Sequence, residues 1–196
     1  IVLDTGSEDK TVQIAQQWGA KVEAAEWQQD FAAVRNQAIA KATSDWILVL
    51  DADEQLTSAG RTLLKQVRTE KQLGQQSIDD ILVVNLLRYE INAEQSPYSE
   101  VSRLFRNRPE LRFERPYHET IDDSVTRLMQ VEPHWQVLLW PQVAVTHTGY
   151  EADAIAERNK LTRARTIMED YLADQADDAY ICNKLGALYG STGNWE

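Results

Sequence analysis

The chain has 196 residues, 43% of them hydrophobic and 26% charged, with eight glycines and five prolines, a composition that folds rather than stays disordered. Its formal net charge of −11, from 31 acidic and 20 basic residues, argues against binding of nucleic acid or of an anionic membrane through surface charge, but leaves room for one nucleotide held through a divalent cation. The single cysteine, Cys182, excludes an intrachain disulfide and a cysteine-rich metal site and suits a reducing compartment, so the cytoplasm is the expected location, and no run reaches the roughly eighteen apolar residues of a membrane span.

The chain opens with "IVLD", a short apolar strand signal with neither Met nor signal-peptide character, which predicts that an N-terminal piece precedes it. "TGSEDK" reads as a turn with Ser7 and Asp9 as caps, and "KTVQIAQQW" as a helix with Val12, Ile14, Ala15 and Trp18 near one face, ended by Gly19. "KVEAAEW" predicts a second strand, and "DFAAVRNQAIAKA" a helix whose Phe31, Val34, Ala38 and Ala42 recur at spacings of three and four. "WILVL" is the apolar run of a strand covered on both faces. A polar helix around Ala59 to Leu73 and a β-rich run, "DILVVNLLRYEI", follow. This alternation is that of an open α/β sheet, whose ligands gather at the carboxyl ends of the strands.

From about Ser99 the pattern changes to short pieces rich in arginine, "EVSRLFRNRPELRFERPYHETI". Two apolar strands are then expected in "WQVLLWPQVAVTHTGY", interrupted by Pro141. The helical segments "EADAIAERNKLTRARTIMEDYLAD" and "DDAYICNKLGALYGSTGNWE" come last, and the main boundary is expected near residue 151.

At the end of "WILVL" stand Asp51, Asp53 and Glu54. In an extended segment Asp51 and Asp53 project to one side, roughly 6 to 7 Å apart, with Ala52 and Glu54 facing the other way. Two such carboxylates beyond a sheet edge can share Mg²⁺ or Mn²⁺ with phosphate oxygens. The competing reading is an acidic turn leading into the next helix.

Four blocks in order, "VLDTGSEDKTVQIAQQWGAKV", "DFAAVRNQAIAKATSDWILVLDADE", "SRLFRNRPELRFERPYHETI" and "VTHTGY", resemble the family 2 glycosyltransferases, inverting enzymes of GT-A fold. The resemblance is particularly to the small bacterial members in which tetratricopeptide-type helices follow the catalytic domain. The resemblance implies a GT-A-like, open, mostly parallel α/β sheet over residues 1–150, lacking its first strand, and a helical extension over 151–196 with a partial tetratricopeptide-like repeat. The absent strand would leave an exposed or intermolecularly filled edge on the strand from Trp46 to Leu50.

The resemblance further implies transfer of a sugar from a nucleoside-diphosphate sugar to an acceptor hydroxyl, dependent on Mg²⁺ or Mn²⁺. Asp4 would contact the base or ribose, Arg35 would lie in the nucleotide region, Asp51 near the ribose, and Asp53 would bind the metal, with Asp51 and His147 completing the metal or diphosphate site. Glu119 in "PYHETI" would be the base that takes the acceptor proton, and His118 its rival or the group that orients the acceptor. Each residue has a plainer reading: a turn cap for Asp4, a surface ion pair for Arg35, a strand-end histidine for His147. His134, in "VEPHWQ", reads as structural. Arg103 and Arg106, three apart, cannot both face one way on an ideal strand, so at most one meets a ligand.

Two other classes compete. A phosphohydrolase of the haloacid dehalogenase type also places D-x-D at a strand end, but its Thr or Val at the fourth position after the first Asp is here Gln55. A noncatalytic interaction role would use the last helices, where Leu185, Gly186 and Tyr189 match the first helix of a tetratricopeptide repeat and could receive a protein partner.

Overall fold

The structure, a computed structural model, describes residues 1–93, 96–148 and 154–192. In chain order its elements are β1 (Val2–Asp4), α1 (Thr11–Gln17), β2 (Val22–Ala24), α2 (Phe31–Ile39), β3 (Trp46–Leu48), β4 (Glu54–Leu56), α3 (Ser58–Thr69), β5 (Gln72–Leu73) and β6 (Gln76–Ser77). They continue with β7 (Ile81–Glu90), β8 (Tyr98–Arg106), α4 (Asp122–Val131), β9 (Gln136–His147), α5 (Ala154–Asp174) and α6 (Ala179–Thr192). The boundary expected near residue 151, and the Gly149–Tyr150 end of the last sequence block, fall outside the described residues. No helix among the described residues is long and apolar enough to cross a membrane.

The chain packs as two compact units, Ile1–Ala42 with Arg112–Thr120 and Asp153–Glu196, and Thr43–Leu111 with Ile121–Ala152. In the first, β1 and β2 form a two-stranded parallel sheet. Asp30 caps α2 by accepting from Ala33 N–H at 2.8 Å. Asn36, on the same helix, grips Phe113 twice, its Nδ2 donating to the carbonyl and its Oδ1 accepting from the N–H, both at 2.9 Å. This fastens the 112–120 segment to α2.

Helices α5 and α6 bury Ala164, Met168, Ile181 and Leu185 with Tyr117, Tyr171 and Leu172 against them. Asp178 starts α6: its Oδ1 accepts from Tyr180 and Ile181 N–H, while Oδ2 accepts from Arg115 Nε at 2.7 Å and Tyr171 OH at 3.1 Å. Leu185 is buried. A side chain added at Gly186 would meet nothing within 4 Å among the described residues.

The second unit holds a five-stranded sheet of order β3-β8-β7-β9-β4. The expected mostly parallel sheet is therefore corrected to a mixed one, since only β7 with β9 runs parallel, while β3 with β8, β7 with β8 and β4 with β9 run antiparallel. The misreading has a plain cause. A strand covered on both faces, such as the almost wholly apolar "ILVVNLL" of β7, shows the same unbroken run whichever way its neighbours point. β3 ends the sheet, pairing with β8 alone among the described residues.

Two further expectations change. The "WQVLLWPQVAVTH" segment is one 12-residue strand rather than two. Its register with β7 jumps from Leu86–Trp140 to Leu87–Val143, so Pro141 and Gln142 bulge out where a residue without an N–H breaks no ladder bond. Leu73 leaves the polar helix, which stops at Thr69, and joins β5. Residues 122–131, for which the sequence predicts no element, form α4, which presents Val125 and Leu128 to the interior.

The core of this unit is built from Leu63 and Val67 of α3, Ile81, Val84 and Leu86 of β7, Leu104 of β8 and Ala144 and Val145 of β9. α3 lies very close to β9. Thr57, its cap, donates its hydroxyl to Val143 O at 2.6 Å and its N–H to Ala144 O at 3.0 Å, and a Cβ at Gly60 would fall 2.2 Å from Ala144 O.

Candidate functional site

Asp51 and Asp53 do not lie in an extended segment. β3 stops at Leu48, and residues 51–54 form a turn closed by Glu54 N–H donating to Asp51 O at 3.0 Å. The two carboxylates consequently take different partners. Asp51 accepts from Arg103 Nη2 at 2.8 Å, whereas Asp53 Oδ2 faces His147 Nε2 at 3.1 Å. Thr148 ties the turn down from the other side, its N–H donating to Asp53 O at 3.0 Å and its hydroxyl to the same oxygen at 3.2 Å.

Sheet register explains how His147 arrives there. Glu54 pairs with His147 across β4 and β9, and His147 pairs with Glu90 across β9 and β7, so three polar residues form a row over three strands. His147 Nδ1 lies 2.5 Å from Glu90 Oε2. Glu90 Oε1 accepts from Arg88 Nη2 at 2.7 Å and from Ser99 Oγ at 3.0 Å. Arg88, two residues along β7 and so on the same face, also donates Nη1 to Glu54 Oε1 at 2.8 Å, and Glu54 Oε2 accepts the N–H of Asp51 at 2.9 Å.

Glu54 is fully enclosed, with 0% of its side chain exposed. Burial alone would raise the Glu90 carboxyl, but the hydrogen bonds from His147 and Ser99 and the charge of Arg88 outweigh it and hold it below the ordinary range. On Arg88, burial opposes the charged form, yet the two carboxylates prevail and hold the guanidinium protonated.

A bulge in β8 brings Arg103 to the turn. Between the pairs Leu86–Val101 and Val84–Leu104, β7 advances two residues and β8 three, which changes which side chains of β8 face which way. Arg106 goes elsewhere: its guanidinium stacks on Trp46 at 4.4 Å and donates to Ile81 O and Ile78 O. Of the two arginines, Arg103 meets the D-x-D turn and Arg106 is a packing residue.

In the other unit, the 114–120 segment is closed by an isolated bridge, with Glu114 N–H donating to Thr120 O at 2.9 Å. Inside it Arg115 and His118 both adopt positive φ, 74° and 54°, which non-glycine residues seldom do. Glu119 and Arg35 meet: Arg35 Nε donates to Glu119 Oε1 at 2.5 Å, with 17% and 10% of the two side chains exposed. His118 is exposed taken as a whole residue, while its ring packs edge-on against Tyr117. Desolvation of the ring, and then the nearby Lys184 ammonium, push its pKa down to about 4, so it is neutral at physiological pH. Asp4 accepts from the N–H groups of Gly6 and Ser7 at 3.3 and 3.2 Å, and the Ser7 hydroxyl first, then these amides, hold its carboxyl below the ordinary value. That is the turn-capping arrangement its position allows.

Among the described residues no three His, Cys, Asp or Glu side chains converge as a ready-made cation site. The expected trio is thus not assembled: Asp53 and His147 meet, while Asp51 is bound by Arg103. Asp53, with 43% of its side chain exposed, and His147 Nε2 still offer an oxygen and an imidazole nitrogen side by side. This pair fits Mn²⁺ or Mg²⁺ that takes its remaining ligands from phosphate and water. Glu54, expected to face away from the two aspartates, instead accepts from the Asp51 N–H and from Arg88, while the sequence did not single out Arg88 and Glu90. Their one signal was two charges, Arg88 and Glu90, alternating at the end of a strand that is otherwise almost wholly apolar.

Comparison with known proteins covers most of the chain. It is 50% identical over 194 residues to a TPR repeat-containing protein of Synechococcus elongatus, an alignment that takes in 99% of this chain and 46% of that protein. It is 31% identical over 164 residues to an uncharacterised glycosyltransferase of Rickettsia bellii, with 81% of this chain and 53% of the other aligned. The chain spans about half the length of these relatives. A crystal structure of S. aureus TarS superposes on 96% of this chain and 61% of that one, with a TM-score of 0.48 and 13% identity. Residues 1–138 match the profile of Glycosyl transferase family 2, and to that family the chain belongs.

Proposed function

We propose that the protein is an inverting glycosyltransferase of GT-A type, moving a sugar from a nucleoside-diphosphate sugar to an acceptor hydroxyl with Mg²⁺ or Mn²⁺. In this reading residues 1–150 are the catalytic domain and 151–196 a tetratricopeptide-like extension that receives a protein partner. The observation that carries it is the facing of Asp53 and His147 in a chain of this family. The family membership also disposes of the phosphohydrolase reading.

Asp53 and His147 hold the cation, which when bound supplies positive charge to the departing diphosphate. Arg103 fixes Asp51, whose remaining acceptor capacity suits a ribose hydroxyl. Asp4 and Arg35 serve the nucleotide. As the acceptor oxygen forms its bond to the anomeric carbon, the bond from that carbon to the diphosphate oxygen breaks and the electron pair leaves with the diphosphate. The proton of the acceptor hydroxyl passes to Glu119, whose orientation Arg35 fixes. His118, neutral at working pH, orients the acceptor by a hydrogen bond rather than by charge.

Calorimetry of the intact protein with UDP, GDP and dTDP sugars, with and without Mn²⁺, tests the donor class and the cation together. Metal-dependent binding of one of them, lost in Asp53→Ala, is expected. Absence of nucleotide binding, or binding unchanged in Asp53→Ala, overturns the assignment.

A further inference from the structure

We propose that Glu90 is a positioning residue of this site: its carboxylate accepts a hydrogen bond from His147 Nδ1–H and thereby directs the Nε2 lone pair to the cation position beside Asp53. The role in cation binding rests on the reading above. The hydrogen-bond assignment rests on geometry alone.

A neutral imidazole has one N–H and one lone pair, yet His147 has a carboxylate at each nitrogen, Glu90 Oε2 at 2.5 Å from Nδ1 and Asp53 Oδ2 at 3.1 Å from Nε2. One proton satisfies one of them. Distance and enclosure choose Glu90, whose side chain is 9% exposed against 43% for Asp53. Water can serve the open carboxylate, whereas the enclosed one loses more if left short of a donor. With the proton on Nδ1, the Nε2 lone pair faces a carboxylate oxygen, and two electron-rich atoms so placed are reconciled by a cation that binds both. A carboxylate behind a metal-ligating histidine is a recurrent way to fix the tautomer and ring orientation.

Glu90 can act this way because it is itself immobile. Its Oε1 is occupied by Arg88 and Ser99, which leaves Oε2 aimed at the ring. Through Arg88 and Glu54 the same framework reaches the N–H of Asp51, so one guanidinium braces both the histidine clamp and the start of the D-x-D turn.

The test uses the intact protein in two arms. In metal-free samples, long-range ¹H–¹⁵N correlation spectra locate the His147 proton, with His147→Asn identifying its signals. A proton on Nδ1 is expected in the wild type, a shift of the proton to Nε2 in Glu90→Ala, and restoration in Glu90→Gln, whose amide oxygen can still accept from Nδ1. A residue that merely filled space would leave the protonated nitrogen unchanged and would not distinguish Gln from Ala. In the second arm Mn²⁺ alone is titrated and the free ion read by electron paramagnetic resonance. Glu90→Ala is expected to bind it about 10- to 100-fold more weakly and Glu90→Gln within about threefold of the wild type.

A bare Nδ1 in the wild type overturns the proposal, and that spectrum decides the matter even if Glu90→Ala does not fold. It is also overturned if a folded Glu90→Ala keeps its proton on Nδ1 or binds Mn²⁺ as the wild type does. A tautomer that switches as expected in a protein that binds no Mn²⁺ leaves Glu90 as the residue that orients His147 and removes the cation reading instead.

Discussion

Replacing Glu54 by alanine should be among the most destabilising single changes in the sheet-bearing unit. The side chain has no exposed surface, and its two oxygens accept from Arg88 Nη1 at 2.8 Å and from Asp51 N–H at 2.9 Å. Loss of a charge-assisted bond costs about 1.5–3 kcal/mol, and the Asp51 amide left short of an acceptor adds about 1–3 kcal/mol. Asp51 is only partly buried, so water can relieve its amide and the second figure belongs at its lower end. Arg88 keeps Glu90 at 2.7 Å and is not left unpaired. The expected total is about 3 kcal/mol, near the lower end of the range for breaking a buried ion pair. Urea unfolding at neutral pH should show this as a lower midpoint with an unchanged slope. In Glu54→Leu/Arg88→Met the loss should fall short of the sum of the single losses by more than 1 kcal/mol, because both single changes break the same Arg88–Glu54 bond and Arg88→Met alone leaves the enclosed Glu54 without its guanidinium. A loss below about 1 kcal/mol for Glu54→Ala, or additive single losses, would refute the view that these groups form one braced network.

Other expectations are more local. Gly60→Ala should destabilise by about 1–3 kcal/mol in the same assay despite alanine's better helix propensity, because its methyl would lie 2.2 Å from a backbone carbonyl; equal or greater stability would mean that α3 is free to lift from β9. Glu119→Gln should retain donor binding while transfer falls by roughly 10² to 10⁴, and a near wild-type rate would move the base elsewhere. The His118 ring should show no NMR titration between pH 8 and 5.5, since its folded pKa is depressed to about 4. The unfolded chain takes up that proton near its ordinary value of about 6.5, so the residue's contribution to stability is complete above that pH and is lost as the pH falls toward 4. A midpoint near 6.5 in the folded protein would show that solvent reaches the whole ring.

The element signals of the first 48 residues were local and therefore legible. The turn capped by Asp4, the helix started by Asp30 and the apolar run from Trp46 each depend on neighbours a few positions away. Strand direction was not legible, because nothing in "ILVVNLL" records whether its partner runs up or down. The D-x-D pair was legible, and the family resemblance supplied His147 for Asp53, but nothing in the sequence assigned Arg103 to Asp51. Asp51 and Asp53 separate because a turn, not a strand, carries them, and that turn is set by Thr148, Arg103 and Glu54 acting together. The reach of Arg103 depends on a bulge that shifts strand parity, and no periodicity shows where a bulge falls. Arg35 and Glu119, singled out for separate reasons 84 positions apart, prove to be one ion pair.

The strand order has a consequence for how the site comes into being. β7 and β8 are joined by a short connection and contact within 11 positions, at Arg88 and Ser99, so their hairpin closes at small entropic cost. His147 must find Glu90 across 57 positions, and Asp53 must find His147 across 94. On these separations the hairpin is the expected nucleus, with β9 expected to join it later and the end strand β4 to dock last, carrying the D-x-D turn with it. In native-state hydrogen exchange the amides of β7 should be the slowest and those of β4 should open first. The Asp53–His147 pair would then come apart in partial openings that leave the core intact, and any ligand bound to that pair would act as the fastener of the last strand to arrive.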